Sequence, residues 1–327
     1  MGHRALGRLG PGEARQDALA PGGTEPCPQR GVAEKSAESR REGPRVARRL
    51  PSVLTVSGSS QQEIIEHLGV RRDRVQVVHI GADTDLWSPD PSVAEVPGRI
   101  VTTSSADVPL KGLVFLVEAL AKVRTEHPRA HLVVVGKRPQ EGPVAQTIER
   151  YGLEGAVEFV KGISDAELVD LVRSAEVACV PSLYEGFSLP AAEAMATGTP
   201  LVATTGGAIP EVAGRDGETC LAVPPGDAGA LAAALTRLLG DPELRARLGA
   251  AGRERVLRNF TWARAAQGTV ARYREAMARA GRDTGAARAE EPAPSRPAPT
   301  AADVLPDPGA ADVNTADTSD RESRATC

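Results

Sequence analysis

With 327 residues, 41% of them apolar, the chain has room for one sizeable domain with tails or for two modest domains. Its 39 basic and 43 acidic residues leave a formal net charge of −4, which gives no support for nucleic acid as the main partner. No stretch nears the ~18 apolar residues that cross a bilayer, no charged-then-apolar leader opens the chain, and Cys27, Cys179, Cys220 and Cys327 form no C-x-x-C pair. A soluble, cytoplasmic protein with neither a zinc site nor a disulfide framework is expected.

The aromatic residues all fall between Trp87 and Tyr273, so neither end carries aromatic core material. Residues 1–44 mix Gly, Pro, Arg and Glu without periodicity, and residues 283–327 are rich in Ala, Pro and Asp. Both segments are expected to be disordered, leaving 45–282 as the folded part. Within it, strands are predicted at Val53–Val56, Val75–His79, Ile100–Thr103, Leu132–Val135, Val157–Val160, Val177–Val180, Leu201–Ala203 and Cys220–Ala222. Helices are predicted at Gln61–His67, Leu113–Arg124, Val144–Tyr151, Asp165–Arg173, Pro190–Ala196, Ala228–Leu239, Pro242–Leu257 and Trp262–Ala278. The alternation implies an α/β fold: a Rossmann-like, doubly wound parallel sheet with its ligands beyond the carboxyl ends of the strands.

The loops at those ends hold the polar residues of interest. Ser104 to Gly112 joins a strand to an amphipathic helix, and its Lys111 can place an ammonium on a phosphate or stand in solvent. Ser164-Asp165-Ala166-Glu167 reads as a capping box, and the loop around Ile163 and Ser164 can also meet a ligand through its backbone. His79 and His131 sit in strand patterns and read as structural, and no His/Asp cluster has metal-ligand spacing.

The densest signal is the run from Ser182 to Met195. It follows an apolar strand, turns at Gly186, and enters a helix near Leu189 with Pro190 in the first turn. Amides around Phe187, Ser188 and Leu189 are left without helical acceptors, an arrangement suited to an anion such as a diphosphate. Glu185 approaches this mouth from the loop, and Glu193 reaches it from one turn inside. Two carboxylates at an anion-binding mouth fit a hydroxyl-rich, phosphorylated ligand. Further on, Gly206-Gly207-Ala208-Ile209-Pro210-Glu211 either lines the cleft or is only a flexible turn into a helix.

Glu185 to Glu193 matches the E-x7-E pattern of the family 4 retaining glycosyltransferases, in the nucleotide-sugar-binding half of the GT-B fold. The resemblance runs from about Arg45 to Arg279 and takes in Leu54-Thr55-Val56-Ser57, Gly81 to Trp87, Pro109 to Leu113, His131 to Gly136 and Thr204 to Glu211. It implies a C-terminal GT-B domain whose N-terminal acceptor domain is largely missing, with a remnant of the interdomain region inside 45–282. It also implies a hexosyltransferase that draws on a UDP- or GDP-linked sugar, needs no cofactor or metal, and retains anomeric configuration.

By the same resemblance Lys111 neutralises the donor diphosphate, Glu185 orients the sugar and Glu193 holds the ribose. Gly186, Phe187, Ser188 and Leu189 cradle the diphosphate, and Ile163 and Ser164 meet the base. Many relatives place an arginine five residues before the lysine, where this chain has Ala106. The expected partners are the donor, an acceptor of unknown nature, and either a separate acceptor-domain partner or a second copy, with peripheral membrane contact admitted. A binding module that holds a nucleotide-sugar without transferring it is the alternative.

Overall fold

The computed structural model describes residues 43–104 and 108–290. The expectations for residues 1–42 and 291–327, and for Ala106, lie outside the described residues. Among the described residues eight strands form two sheets. The smaller pairs β1 (Val53–Thr55) in parallel with β2 (Val75–Val77), joined by α1 (Gly58–Leu68). The larger contains β3 (Val96–Thr103), β4 (His131–Val135), β5 (Val157–Val160), β6 (Ala175–Val180), β7 (Leu201–Thr204) and β8 (Leu221–Val223). All its pairings are parallel, in the order β5-β4-β3-β6-β7-β8.

Counted from β3, that order is 3-2-1-4-5-6, the doubly wound arrangement whose direction of winding reverses between its first and fourth strands. The reversal here lies between β3 and β6. Helices α2 (Leu113–Glu126), α3 (Pro143–Arg150) and α7 (Ala228–Gly240) bury Ile100, Leu132, Val134, Val177, Cys179 and Val202 on one face. Helices α4 (Asp165–Arg173), α5 (Leu189–Ala196) and α6 (Ile209–Ala213) bury Val101, Ala178, Val180, Leu201 and Ala203 on the other. Alternate residues of each strand thus serve opposite layers, as a two-faced parallel sheet requires. Helix α8 (Pro242–Asn259) contributes Leu244 and Leu248 to the first layer and Val256 to the second.

Helix α9 (Trp262–Glu290) follows Phe260, whose carbonyl accepts the Ala82 amide at 2.9 Å. Its first turns lie against the β1-α1-β2 unit, with a groove of about 480 Å³ between Leu54, Val56, Val78 and Ile80 on one side and Ala265, Ala266 and Thr269 on the other. Trp262, Val270, Tyr273 and Met277 are exposed along it. Two boundaries set from composition need correction. Residues 43–47 already form a helical turn, and α9 continues past Asp283 to Glu290, in keeping with the helix-favouring Ala and Arg of that stretch. The helical end from Ala278 to Glu290 belongs to a second unit. Among the described residues no helix is long and apolar enough to cross a membrane.

Candidate functional site

The winding reversal between β3 and β6 leaves a crevice beyond their carboxyl ends, flanked by the Pro109–Lys111 turn and by the loop leaving Val180. The β3 loop closes on a 3-10 turn, Pro109–Lys111, followed by Gly112 at φ 65°. A Cβ on Gly112 would stand 2.0 Å from the Pro181 carbonyl oxygen, so the two loops meet at a distance that only glycine permits. The Leu183 amide donates to the Leu110 carbonyl at 2.7 Å and joins them further.

Lys111 and Glu185, placed by sequence on separate loops, meet here. Lys111 Nζ stands 3.0 Å from Glu185 Oε1, and Ser182 Oγ donates to the same oxygen at 2.6 Å. Both bonds fall on Oε1. The Glu185 side chain is 6% exposed and that of Lys111 34%, so a nearly buried carboxylate is matched by a cation with one side in water. Ser182 held no role in the sequence reading; its position at the end of β6 was the available signal.

Helix α5 opens as the sequence predicts, at Leu189 with Pro190 in its first turn and no side-chain cap. The amides of Phe187, Ser188 and Leu189 have no acceptor among the described residues. The buried hydroxyls of Ser188, Ser104 and Thr102 also lack partners among them. The Phe187 ring turns to Phe260 and His79, with centroids 5.9 and 6.3 Å away, so this residue meets the mouth through its backbone.

Glu193 faces the ends of β3 and β6 among Trp87, Thr102, Thr103 and Pro190. Burial, and next the charge of Asp165, hold its carboxyl above the ordinary carboxylate range. Its carboxylate, too, has no hydrogen-bond partner among the described residues. Ile163 is half-buried and Ser164 exposed. The capping box is formed in full, the Glu167 amide donating to Ser164 Oγ and Glu167 Oε2 accepting the Ser164 amide. A cavity of about 640 Å³ opens nearby, beyond β4 and β5, among Lys137, Arg138, Glu149, Glu154, Phe159 and Lys161. Neither Ile163 nor Ser164 lines it.

The Gly206 to Glu211 run packs against the Glu185 loop. A Cβ on Gly207 would lie 2.4 Å from the Glu185 carbonyl oxygen, and the Ala208 amide donates to that oxygen at 2.8 Å. Of the two readings left open, the run therefore builds the crevice wall and also opens helix α6. His79, expected to be structural, sits 3.5 Å from the Glu211 carboxylate.

A family model described as Glycosyl transferases group 1 matches residues 90–255. The chain belongs to the group 1 glycosyl transferases. This group 1 glycosyl transferase is 47% identical over 235 residues to the MMP alpha-(1->4)-mannosyltransferase of Mycolicibacterium hassiacum, a match covering 72% of this chain and 56% of that one. It is 33% identical to the D-inositol 3-phosphate glycosyltransferase of Corynebacterium glutamicum, covering 69% of this chain and 58% of the other. The chain thus spans little more than half the length of these curated relatives. Among solved structures, sucrose-phosphate synthase from Thermosynechococcus elongatus superposes with a TM-score of 0.65 at 30% identity, over 74% of this chain and 62% of that one. HepE from Anabaena in complex with UDP-glucose has a TM-score of 0.66 at 23% identity, covering 75% and 69%, and bears on the fold alone. The parallel α/β architecture is that of the GT-B glycosyltransferases.

Proposed function

We propose that this chain forms the donor-binding half of a family 4 retaining glycosyltransferase, which moves a hexose from a UDP- or GDP-linked sugar to a hydroxyl acceptor. One observation carries the reading: unsatisfied groups of complementary kinds converge on the β3–β6 crevice. The uncapped start of α5 and the buried Ser188 hydroxyl offer donors for a diphosphate, while the Glu193 carboxylate offers acceptors for sugar or ribose hydroxyls. Lys111 supplies the cation. The 47% identity to a mannosyltransferase favours a hexosyl donor.

In this scheme Glu193 holds the ribose and Glu185 Oε2, free of the bonds made at Oε1, accepts a hydroxyl of the donor sugar. Lys111 leaves Glu185 to neutralise the departing diphosphate, the electrostatic term that lowers the barrier most. The bond from the anomeric carbon to the phosphate oxygen breaks as the acceptor oxygen bonds to the same face. The acceptor's proton passes to the leaving phosphate oxygen. This uses no metal and no covalent glycosyl-Glu185 intermediate.

The acceptor is placed by the part of the relatives' length that this chain does not match, supplied by another chain or by further sequence. Binding of donor without transfer is the second reading: the groups that converge on the crevice are all assigned to the donor. Calorimetry with UDP- and GDP-sugars tests the first claim: Glu193→Ala should weaken donor binding by about 1–3 kcal/mol. Lys111→Ala should weaken nucleoside diphosphates more than nucleosides. Failure of every UDP- or GDP-sugar to bind the parent chain would end the donor-site reading. Donor turnover with a panel of acceptors then separates transfer from binding alone.

A further inference from the structure

Glu211 makes contacts that the donor reading does not use. Its Oε2 accepts the Gly58 amide and its Oε1 the Ser59 amide, both at 2.8 Å, across 153 and 152 residues of sequence. With Ser57 Oγ accepting the Ser60 amide at 3.0 Å, the first amides of α1 are all satisfied. The held turn lies on the Glu185 loop. Ser59 Oγ is 3.3 Å from the Tyr184 hydroxyl, and Ser60 Oγ donates to the Gly186 carbonyl at 3.3 Å. On its other side, the same loop is bonded through the Glu185 carbonyl to Ala208, three residues before Glu211.

Residues 184–186 are therefore enclosed between two elements, and the Glu211 carboxylate bolts those elements together. Arg255 in turn fixes the backbone of Glu211, donating from Nη2 to its carbonyl at 2.7 Å. Beside the bolt, His79 packs edge-on against Phe260 with ring centroids 5.4 Å apart, and Phe260 against Phe187 at 5.9 Å, which closes the rim next to the start of α5. A carboxylate that only capped a helix would act locally. This one joins the β1-α1-β2 unit to the wall of the crevice.

We propose that Glu211 is a positioning residue: by gripping the first turn of α1 it holds the Glu185 loop in the geometry that meets a donor sugar. The proposal rests on the donor-site reading for its consequence, whereas the clamp itself can be read without ligand. Glu211→Gln keeps the shape but replaces one acceptor oxygen with an NH2 group that faces a backbone N–H, so one α1 amide loses its partner. A Ser59→Ala/Ser60→Ala variant loosens the same contact from the other side.

The test is amide hydrogen exchange on the full chain, with calorimetry on UDP-glucose, GDP-mannose, uridine and guanosine beside it. In both variants exchange at Ala208 and Leu183 should rise about tenfold, the scale of one lost charge-assisted or buried hydrogen bond, while amides of the central strands stay as in the parent. Affinity for whichever nucleotide-sugar the parent binds should fall by a similar factor, with nucleoside affinity unchanged. Unaltered Ala208 exchange in both variants would overturn the proposal. So would a rise spread evenly over the whole sheet with a lowered Tm, because that is the response of a residue serving stability alone.

Discussion

The pairing of Lys111 with Glu185 ties stability to ligand binding in a way that a mutant cycle can resolve. A charge-assisted hydrogen bond to a buried carboxylate is worth about 1.5–3 kcal/mol. The Lys111 side chain is 34% exposed and so retains part of its hydration, which lowers the net coupling to about 1 kcal/mol. Ser182 Oγ keeps Glu185 from being wholly unpaired when the lysine is lost. Urea unfolding of the parent, Lys111→Met, Glu185→Gln and the double variant should therefore show the two single losses exceeding their combined effect by that amount. The same energy has a functional face. A donor diphosphate must take Lys111 away from Glu185, so Glu185→Gln should bind UDP or GDP, which lack the sugar that Glu185 contacts, about fivefold more tightly, the equivalent of 1 kcal/mol. Additive unfolding energies together with unchanged diphosphate affinity would refute this reasoning.

Glu193 gives a pH dependence of definite sign. Its folded carboxyl lies above the ordinary value of 4.5, so the folded chain holds this proton more tightly than the unfolded chain, and stability falls as pH rises from 4.5 through the raised value. Glu193→Gln should remove that fall and leave the variant more stable than the parent above the window while weakening donor binding; Tm measured from about pH 4 to about pH 8 checks it. Gly112→Ala forces φ 65° on a residue with a Cβ and drives it to 2.0 Å from the Pro181 oxygen. A loss of about 2–4 kcal/mol in urea unfolding is expected, and a loss below about 1 kcal/mol would show that the loops separate freely. Arg245→Met breaks a bridge to Glu176 at 3.0 Å between side chains 10% and 14% exposed, far from the crevice. It should cost about 3 kcal/mol of stability and leave nucleotide affinity unchanged by calorimetry.

Where the determining forces are local, the sequence reads directly into the structure. Val157–Val160 and Asp165–Arg173 stand where they are predicted, because an apolar run bounded by turns and a Ser164–Glu167 capping box are complete within a few residues. The start of α5 is likewise local, since Pro190 and the spacing of Glu185 and Glu193 need no distant partner to be recognised. By contrast, Val96–Arg99 carries Pro97 and Gly98 and no strand pattern, yet it opens β3. It does so because Arg99 pairs with His131 and Val96 with Ala175, and because Glu176 accepts the Gly98 amide. Lys111 with Glu185, across 74 residues, and Glu211 with Gly58, across 153, are decided in the same way. Hydrophobic period and caps specify elements one at a time, whereas the order in which strands assemble determines which loops share the crevice, and that order is fixed only when the two helical layers close on the sheet.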